Sequence, residues 1–116
     1  MNPLRILIAE DEAVIAVLLA EVLTDLGHDV CAIASTADET IAAAHQHQPD
    51  LMIVDPGLRD SSGVDAVLQA TAERAVPHIF MTGDLARLKS EKPEAIIIQK
   101  PFDEADLIAA IDRVMA

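Results

Sequence analysis

Two hydrophobic periodicities alternate along the chain. Arg5–Ala9, Val30–Ala34, Leu51–Val54, His78–Met81 and Ala95–Ile98 are short apolar runs of strand length. The stretches between them space their apolar residues at three and four, as helices do. The first predicted helix runs from Ala13 to Leu26, with Val14, Val17, Leu18, Val22 and Leu26 as its apolar positions and Gly27 as its stop. Ser35 and Thr36, with Glu39 three residues after Thr36, form a capping box for a helix to about His47, which Pro49 ends. A third helix is predicted over Val64 to about Arg74. Leu85–Ser90 has room only for a short fourth, and Asp103 caps a fifth that carries Leu107, Ile108, Ile111, Val114 and Met115. Pro56–Gly63 and Thr82–Asp84 read as loop and turn. The pattern is (βα) five times over. It implies an α/β fold with a parallel sheet covered on both faces and joined by right-handed crossovers. Near-continuous apolar strands belong to such a doubly covered sheet.

Length and composition narrow the picture. The 116 residues fit one compact domain over 1–116, and apolar residues make up 52% of them while aromatics make up 2%. The core must therefore be built from Leu, Ile, Val and Ala. Cys31 is the single cysteine and sits in an apolar run, so it reads as a strand residue with no disulfide partner in the chain. The net charge of −12 disfavours nucleic acid, which needs Lys and Arg to replace phosphate counterions, and an anionic membrane surface. It suits a cation or a basic partner. The apolar stretch after Met1–Arg5 ends at Glu10, which is not a signal peptide, and no run approaches the roughly 18 residues of a membrane span. A cytoplasmic location is the expectation.

In an open parallel sheet, ligands gather beyond the carboxyl ends of the strands. Glu10, Asp11 and Glu12 follow the first apolar run, Asp55 the third, Thr82 the fourth and Lys100 the fifth. Each alone has an ordinary reading. Glu10–Glu12 can complement a helix dipole, Asp55-Pro56-Gly57 can be a turn, and Thr82-Gly83-Asp84 can be a turn and cap. Lys100 is harder to explain so. A cation just before a helix N-terminus opposes the helix dipole, and Asp55 is its natural compensation. Together the set has definite chemistry. Clustered carboxylate oxygens suit Mg²⁺, Asp55 can attack phosphorus, and a cation with Lys100 can stabilise charge on a transferring phosphoryl group. The histidines are not promoted to a site: His45 and His47 lie on different helix faces, and His28 and His78 read as structural.

These segments resemble the receiver domains of two-component response regulators over essentially the whole chain. The matching motifs are Ile6–Glu12, Pro49–Asp55 with Leu58 and Gly63, Met81-Thr82-Gly83 and Lys100-Pro101-Phe102. The resemblance implies a flavodoxin-like sheet of order 2-1-3-4-5. It implies Asp55 as phosphoacceptor, Thr82 as switch hydroxyl and Lys100 as phosphoryl contact. It further implies Asp11, Asp55 and the Gly57 backbone carbonyl as Mg²⁺ ligands with Glu10 assisting, and a Lys100–Pro101 bond that is often cis. The implied partner is a histidine kinase or phosphotransfer protein. Output is then contact with a downstream protein or service as a phosphate sink. Such a protein phosphorylates and dephosphorylates itself and is not an enzyme acting on other substrates.

Three departures from the family pattern stand out. Ile97 occupies the position three before the lysine where an aromatic is usual, so the customary rotamer switch has no ring to move. Thr82 and Lys100 are about one helical turn closer than is common. Arg59 follows Leu58 where proline is usual, and Pro56 follows Asp55. The sequence Ile79–Gly83 with a short fourth helix is similar to a subgroup found with alphaproteobacterial stress-response kinases. Gly57 offers no side chain to orient water, although Asp84 can, so slow or atypical self-dephosphorylation is expected. Two alternatives remain. One is a Mg²⁺-dependent phosphatase-like hydrolase, whose usual Asp-x-Asp is absent at both Asp11 and Asp55. The other is a pseudo-receiver that only binds partners, against which stand Asp55, Thr82 and Lys100.

Overall fold

The computed structural model describes residues 2–59 and 61–116; Met1 and Asp60, the latter within the predicted 56–63 loop, lie outside the described residues. Strands β1 (Arg5–Ala9), β2 (Asp29–Ala34), β3 (Leu51–Val54), β4 (His78–Thr82) and β5 (Ile97–Gln99) alternate with helices α1 (Ala13–Asp25), α2 (Ala37–His47), α3 (Gly63–Ala70), α4 (Leu85–Glu91) and α5 (Glu104–Met115). All pairings are parallel and the strand order is β2-β1-β3-β4-β5, as the resemblance implied. The sheet buries both faces. Ile6, Ile8, Leu51, Ile53, Ile79 and Met81 pack with α1 and α5, and Leu7, Met52, Val54 and Phe80 pack towards α2 and α3. Cys31 is the extra residue of β2 where the register slips against Ile6 and Leu7, and its thiol donates to the Ile6 carbonyl at 3.4 Å.

Helix boundaries follow local chemistry. Gly27 takes φ +96°, a conformation that a residue without a side chain adopts freely, and α1 ends there. Thr36 caps α2 by accepting from Glu39 N at 3.1 Å, and Asp103 caps α5 by accepting from Asp106 N at 2.8 Å. Helix α4 has seven residues, of which only Leu88 is buried. No helix among the described residues is long and apolar enough to cross a membrane.

Three sequence expectations shift. Helix α1 buries Ala16, Leu19 and Leu23, with Ala20, Val22 and Leu26 packed against the core, and turns Val14, Val17 and Leu18 outward. It has two apolar stripes, and the one with the small Ala16 is the one laid on the sheet. Helix α3 ends at Ala70, not near Arg74. Thr71 Oγ1 donates to the Val67 carbonyl at 2.7 Å, and Arg74 turns aside to the carbonyls of Pro49 (2.9 Å) and Gln48 (3.3 Å). Strand β5 is Ile97–Gln99, not Ala95–Ile98. Its pairing with β4 runs Phe80–Ile97, Met81–Ile98 and Thr82–Gln99, which draws polar Gln99 into the ladder.

Candidate functional site

The five parallel strands end on one face, and their last residues set the site. Backbone hydrogen bonds fix each exit: Glu10 N donates to the Ala34 carbonyl at 2.9 Å, Asp55 N to that of Ala9 at 2.8 Å, and Lys100 N to that of Thr82 at 2.8 Å. These bonds carry the sheet ladder one residue past the strands and hold the polar side chains in register. The Lys100–Pro101 peptide is cis.

Lys100 is the centre of the arrangement. Its ammonium donates to Asp55 Oδ2 at 2.8 Å and lies 2.6 Å from Glu10 Oε1. The compensation that its place before α5 required is therefore present. Glu10 is only 4% exposed, and its second oxygen accepts from Glu12 N at 3.2 Å. Burial pushes the Glu10 carboxyl above the usual carboxylate range, and the charge of Asp55 adds to this against the hydrogen bond from Lys100. Burial draws the Lys100 ammonium down, but its bonds to Asp55 and Glu10 outweigh that and hold it above the ordinary lysine value.

Glu10, Asp11 and Asp55 each offer a carboxylate oxygen, all within 4.8 Å of one another. Three carboxylates against one ammonium leave two negative charges uncompensated. A hard divalent cation with a preference for carboxylate oxygen fits that deficit in charge and donor type. Gly57 lies beside them, its N–H donating to Asp55 Oδ1 at 2.8 Å.

A cleft of about 450 Å³ opens beside Asp55, lined by Gly57, Ser62, Thr82, Asp84 and Arg87 among others. Thr82 is the buried last residue of β4, and its hydroxyl oxygen accepts from Asp84 N at 3.0 Å. That leaves the hydroxyl proton available to a ligand. Asp84 in turn caps α4 by accepting from Arg87 N at 3.2 Å. The structure thus gathers all six sequence candidates, Glu10, Asp11, Asp55, Gly57, Thr82 and Lys100, at one end of the sheet.

Two contributors carried too little weight in the sequence. Gly63, noted there only as part of a motif, begins α3 against the backbone of Asp55. A β-carbon at Gly63 would overlap the Asp55 carbonyl oxygen and stand 2.9 Å from its carbonyl carbon. Arg87 lines the cleft, and its spacing of three from the capping Asp84 was the available sign. Ile97 is half-buried and packs against the cluster of Leu7, Val54 and Phe80.

The family description "Response regulator receiver domain" matches residues 6–112. The chain belongs to this family. The receiver is 35% identical over 114 residues to the transcriptional regulatory protein PdtaR of Mycobacterium tuberculosis, covering 95% of the chain and 56% of that protein. It is 40% identical over 115 residues to the phyllosphere-induced regulator PhyR of Methylorubrum extorquens, covering 96% of the chain and 43% of that protein. The receiver therefore spans about half the length of the curated relatives it matches. The solution structure of the PhyR receiver domain from Erythrobacter litoralis superposes with a TM-score of 0.90 at 34% identity, covering 99% of this chain and 92% of that one. The likeness to the stress-response subgroup read from Ile79–Gly83 and the short fourth helix agrees with these PhyR matches.

Proposed function

We propose that this receiver, acting over residues 1–116, accepts a phosphoryl group on Asp55 from a phosphohistidine of a kinase or phosphotransfer protein and changes its protein contacts in response. The observation that carries this reading is the convergence of Lys100 on Asp55 and Glu10 at the strand ends, with Asp11 beside them and Thr82 across the cleft. In the reaction an Asp55 carboxylate oxygen attacks phosphorus, the N–P bond of the donor breaks, and the imidazole leaves with the bonding pair. Lys100 remains protonated and pairs with the phosphoryl oxygens, while the Thr82 hydroxyl donates to one of them. Asp11, Asp55 and the Gly57 carbonyl, aided by Glu10, would hold Mg²⁺, which supplies charge neutralisation when bound.

The donor histidine must reach the face where β1, β3 and β4 end, and α1 starts on that face. Its outward stripe is 73% exposed at Val14, 52% at Val17 and 50% at Leu18, with Glu21 and Asp25 nearby. Exposed apolar residues grouped beside a reactive site fit a partner helix with its own apolar face and basic flanks.

Beryllofluoride, an acyl-phosphate mimic, tests the site. With Mg²⁺ it is expected to bind the wild type and to lose binding in Asp55→Asn, followed by chemical-shift changes at Thr82 and Gly57. Equal binding by both proteins would refute the assignment.

A further inference from the structure

Arg59, the departure from the family's usual proline, has no part in the site chemistry, and neither does Ser61. Ser61 reaches instead to the start of α2. Ser61 Oγ accepts from Ala37 N at 2.9 Å and donates to the Arg59 carbonyl at 2.9 Å. Ala37 is the first residue of α2, so its N–H is one of the donors that a helix leaves without an internal partner. Here the partner comes from the loop that leaves the candidate phosphoacceptor. The Glu39 carboxylate, bonded by Ser35 N at 2.9 Å and Ser35 Oγ at 3.0 Å, lies below the usual carboxylate range through those bonds first and the charge of Arg59 in addition. Ser35 directly follows β2, so loop, helix start and strand end form one connected edge.

The other end of the loop is fixed to Asp55 itself. Gly57 N donates to Asp55 Oδ1, Gly63 N donates to the Pro56 carbonyl at 2.9 Å, and Leu58 is buried. A hydrogen bond to a full carboxylate is roughly twice as strong as one to a neutral acceptor. Phosphorylation turns the carboxylate into an acyl phosphate and redistributes the charge that holds Gly57. Ser61 follows Gly57 by four residues in the sequence, and Leu58 between them is buried.

We propose that the loop after Asp55 is a clamp on the first turn of α2, acting through Ser61. Loading Asp55 then alters the start of α2 and the adjoining end of β2, which gives the receiver a reporting edge there. The proposal rests on the reading of Asp55 as acceptor. It also gives the signal a path that does not need an aromatic ring at Ile97.

Hydrogen exchange of the full chain, with and without Mg²⁺ and beryllofluoride, tests it. In the wild type, loading is expected to raise exchange at Ala37–Thr40 by about fivefold, the effect of roughly one hydrogen bond lost. Ser61→Ala should exchange there at the loaded rate even when unloaded, and respond less than about twofold on loading, while Gly57 and Thr82 still respond. Ser61→Thr, which keeps the hydroxyl, should restore the wild-type response. An unchanged α2 signal in the wild type with a clear response at Gly57 and Thr82 would overturn the clamp alone. So would an undiminished α2 response in Ser61→Ala. No response at Gly57 or Thr82 would overturn the acceptor reading, and the clamp with it.

Discussion

At the amino end of the sheet, charged and polar groups close the chain on itself. Arg5 donates to the His47 carbonyl and its N–H to Asp50 Oδ2 at 2.8 Å, and Arg74 takes the carbonyls of Gln48 and Pro49. The carbonyl end of α2 is thereby satisfied by two guanidiniums, the sign its dipole favours. At the carboxyl end, 45 residues beyond Asp55 in sequence, one lysine serves both that residue and Glu10, with Asp11 alongside. The first end places opposite charges and acceptors where the fold needs them. The second concentrates like charge in a partly buried place, a cost that the proposed binding of a cation or phosphoryl group would offset. Under the proposed function, the difference separates residues that keep the protein folded from residues that make it responsive.

Gly63→Ala tests that separation most severely, because it strikes the backbone that presents Asp55. The added methyl meets the Asp55 carbonyl, which a rigid strand end has little room to relieve. We expect a loss of about 1–3 kcal/mol in urea unfolding, together with weaker beryllofluoride binding. A stability within about 0.5 kcal/mol of wild type would show that the helix start yields freely.

Leu18→Glu comes next and leaves the site itself alone. The side chain is half-exposed, so stability should hold within about 0.5 kcal/mol. Phosphoryl transfer from a cognate kinase should slow by about tenfold, the equivalent of about 1.4 kcal/mol at an interface. Phosphorylation by a small donor should be unchanged. Equal slowing with both donors would move the effect from docking to the site.

The smallest effect belongs to His28, the one exception to the orderly amino end. It is buried, its Nδ1 accepts from Leu4 N at 3.0 Å, and its Nε2 has no partner among the described residues. Burial lowers its pKa, so the folded state favours the neutral ring. A depressed histidine contributes stability that is present above the ordinary value near 6.5. That stability is lost as pH falls through 6.5 towards the lower folded value. Between pH 7.5 and 5.5 the wild type should lose more stability than His28→Gln, because a protonated ring no longer accepts from Leu4 N. Parallel pH profiles would exclude this role.

Much of this was readable in the chain because strand ends in a parallel sheet convert sequence order directly into spatial neighbourhood. Knowing that Asp55, Thr82 and Lys100 each follow an apolar run is enough to bring them together. What stayed hidden depends on which of two similar choices packs better. Helix α1 offered two apolar stripes, and only the sheet decided that Ala16, Leu19 and Leu23 face inward. Strand β5 was read from its isoleucines, but the ladder with Phe80–Thr82 set its bounds. Gly63 looked like a loop residue because a close backbone approach leaves no mark in composition. Ser61, reaching Ala37 across 24 residues, belongs to the same class.

The proposed function stands or falls on Asp55 as the phosphoryl acceptor. The direct measurement is to phosphorylate the chain with Mg²⁺ and a small phosphoryl donor, trap the product with borohydride, and locate the reduced residue by mass spectrometry. Reduction is expected at Asp55, and is expected to be absent without donor. Reduction at Asp11 or another carboxylate, with Asp55 intact, would contradict it.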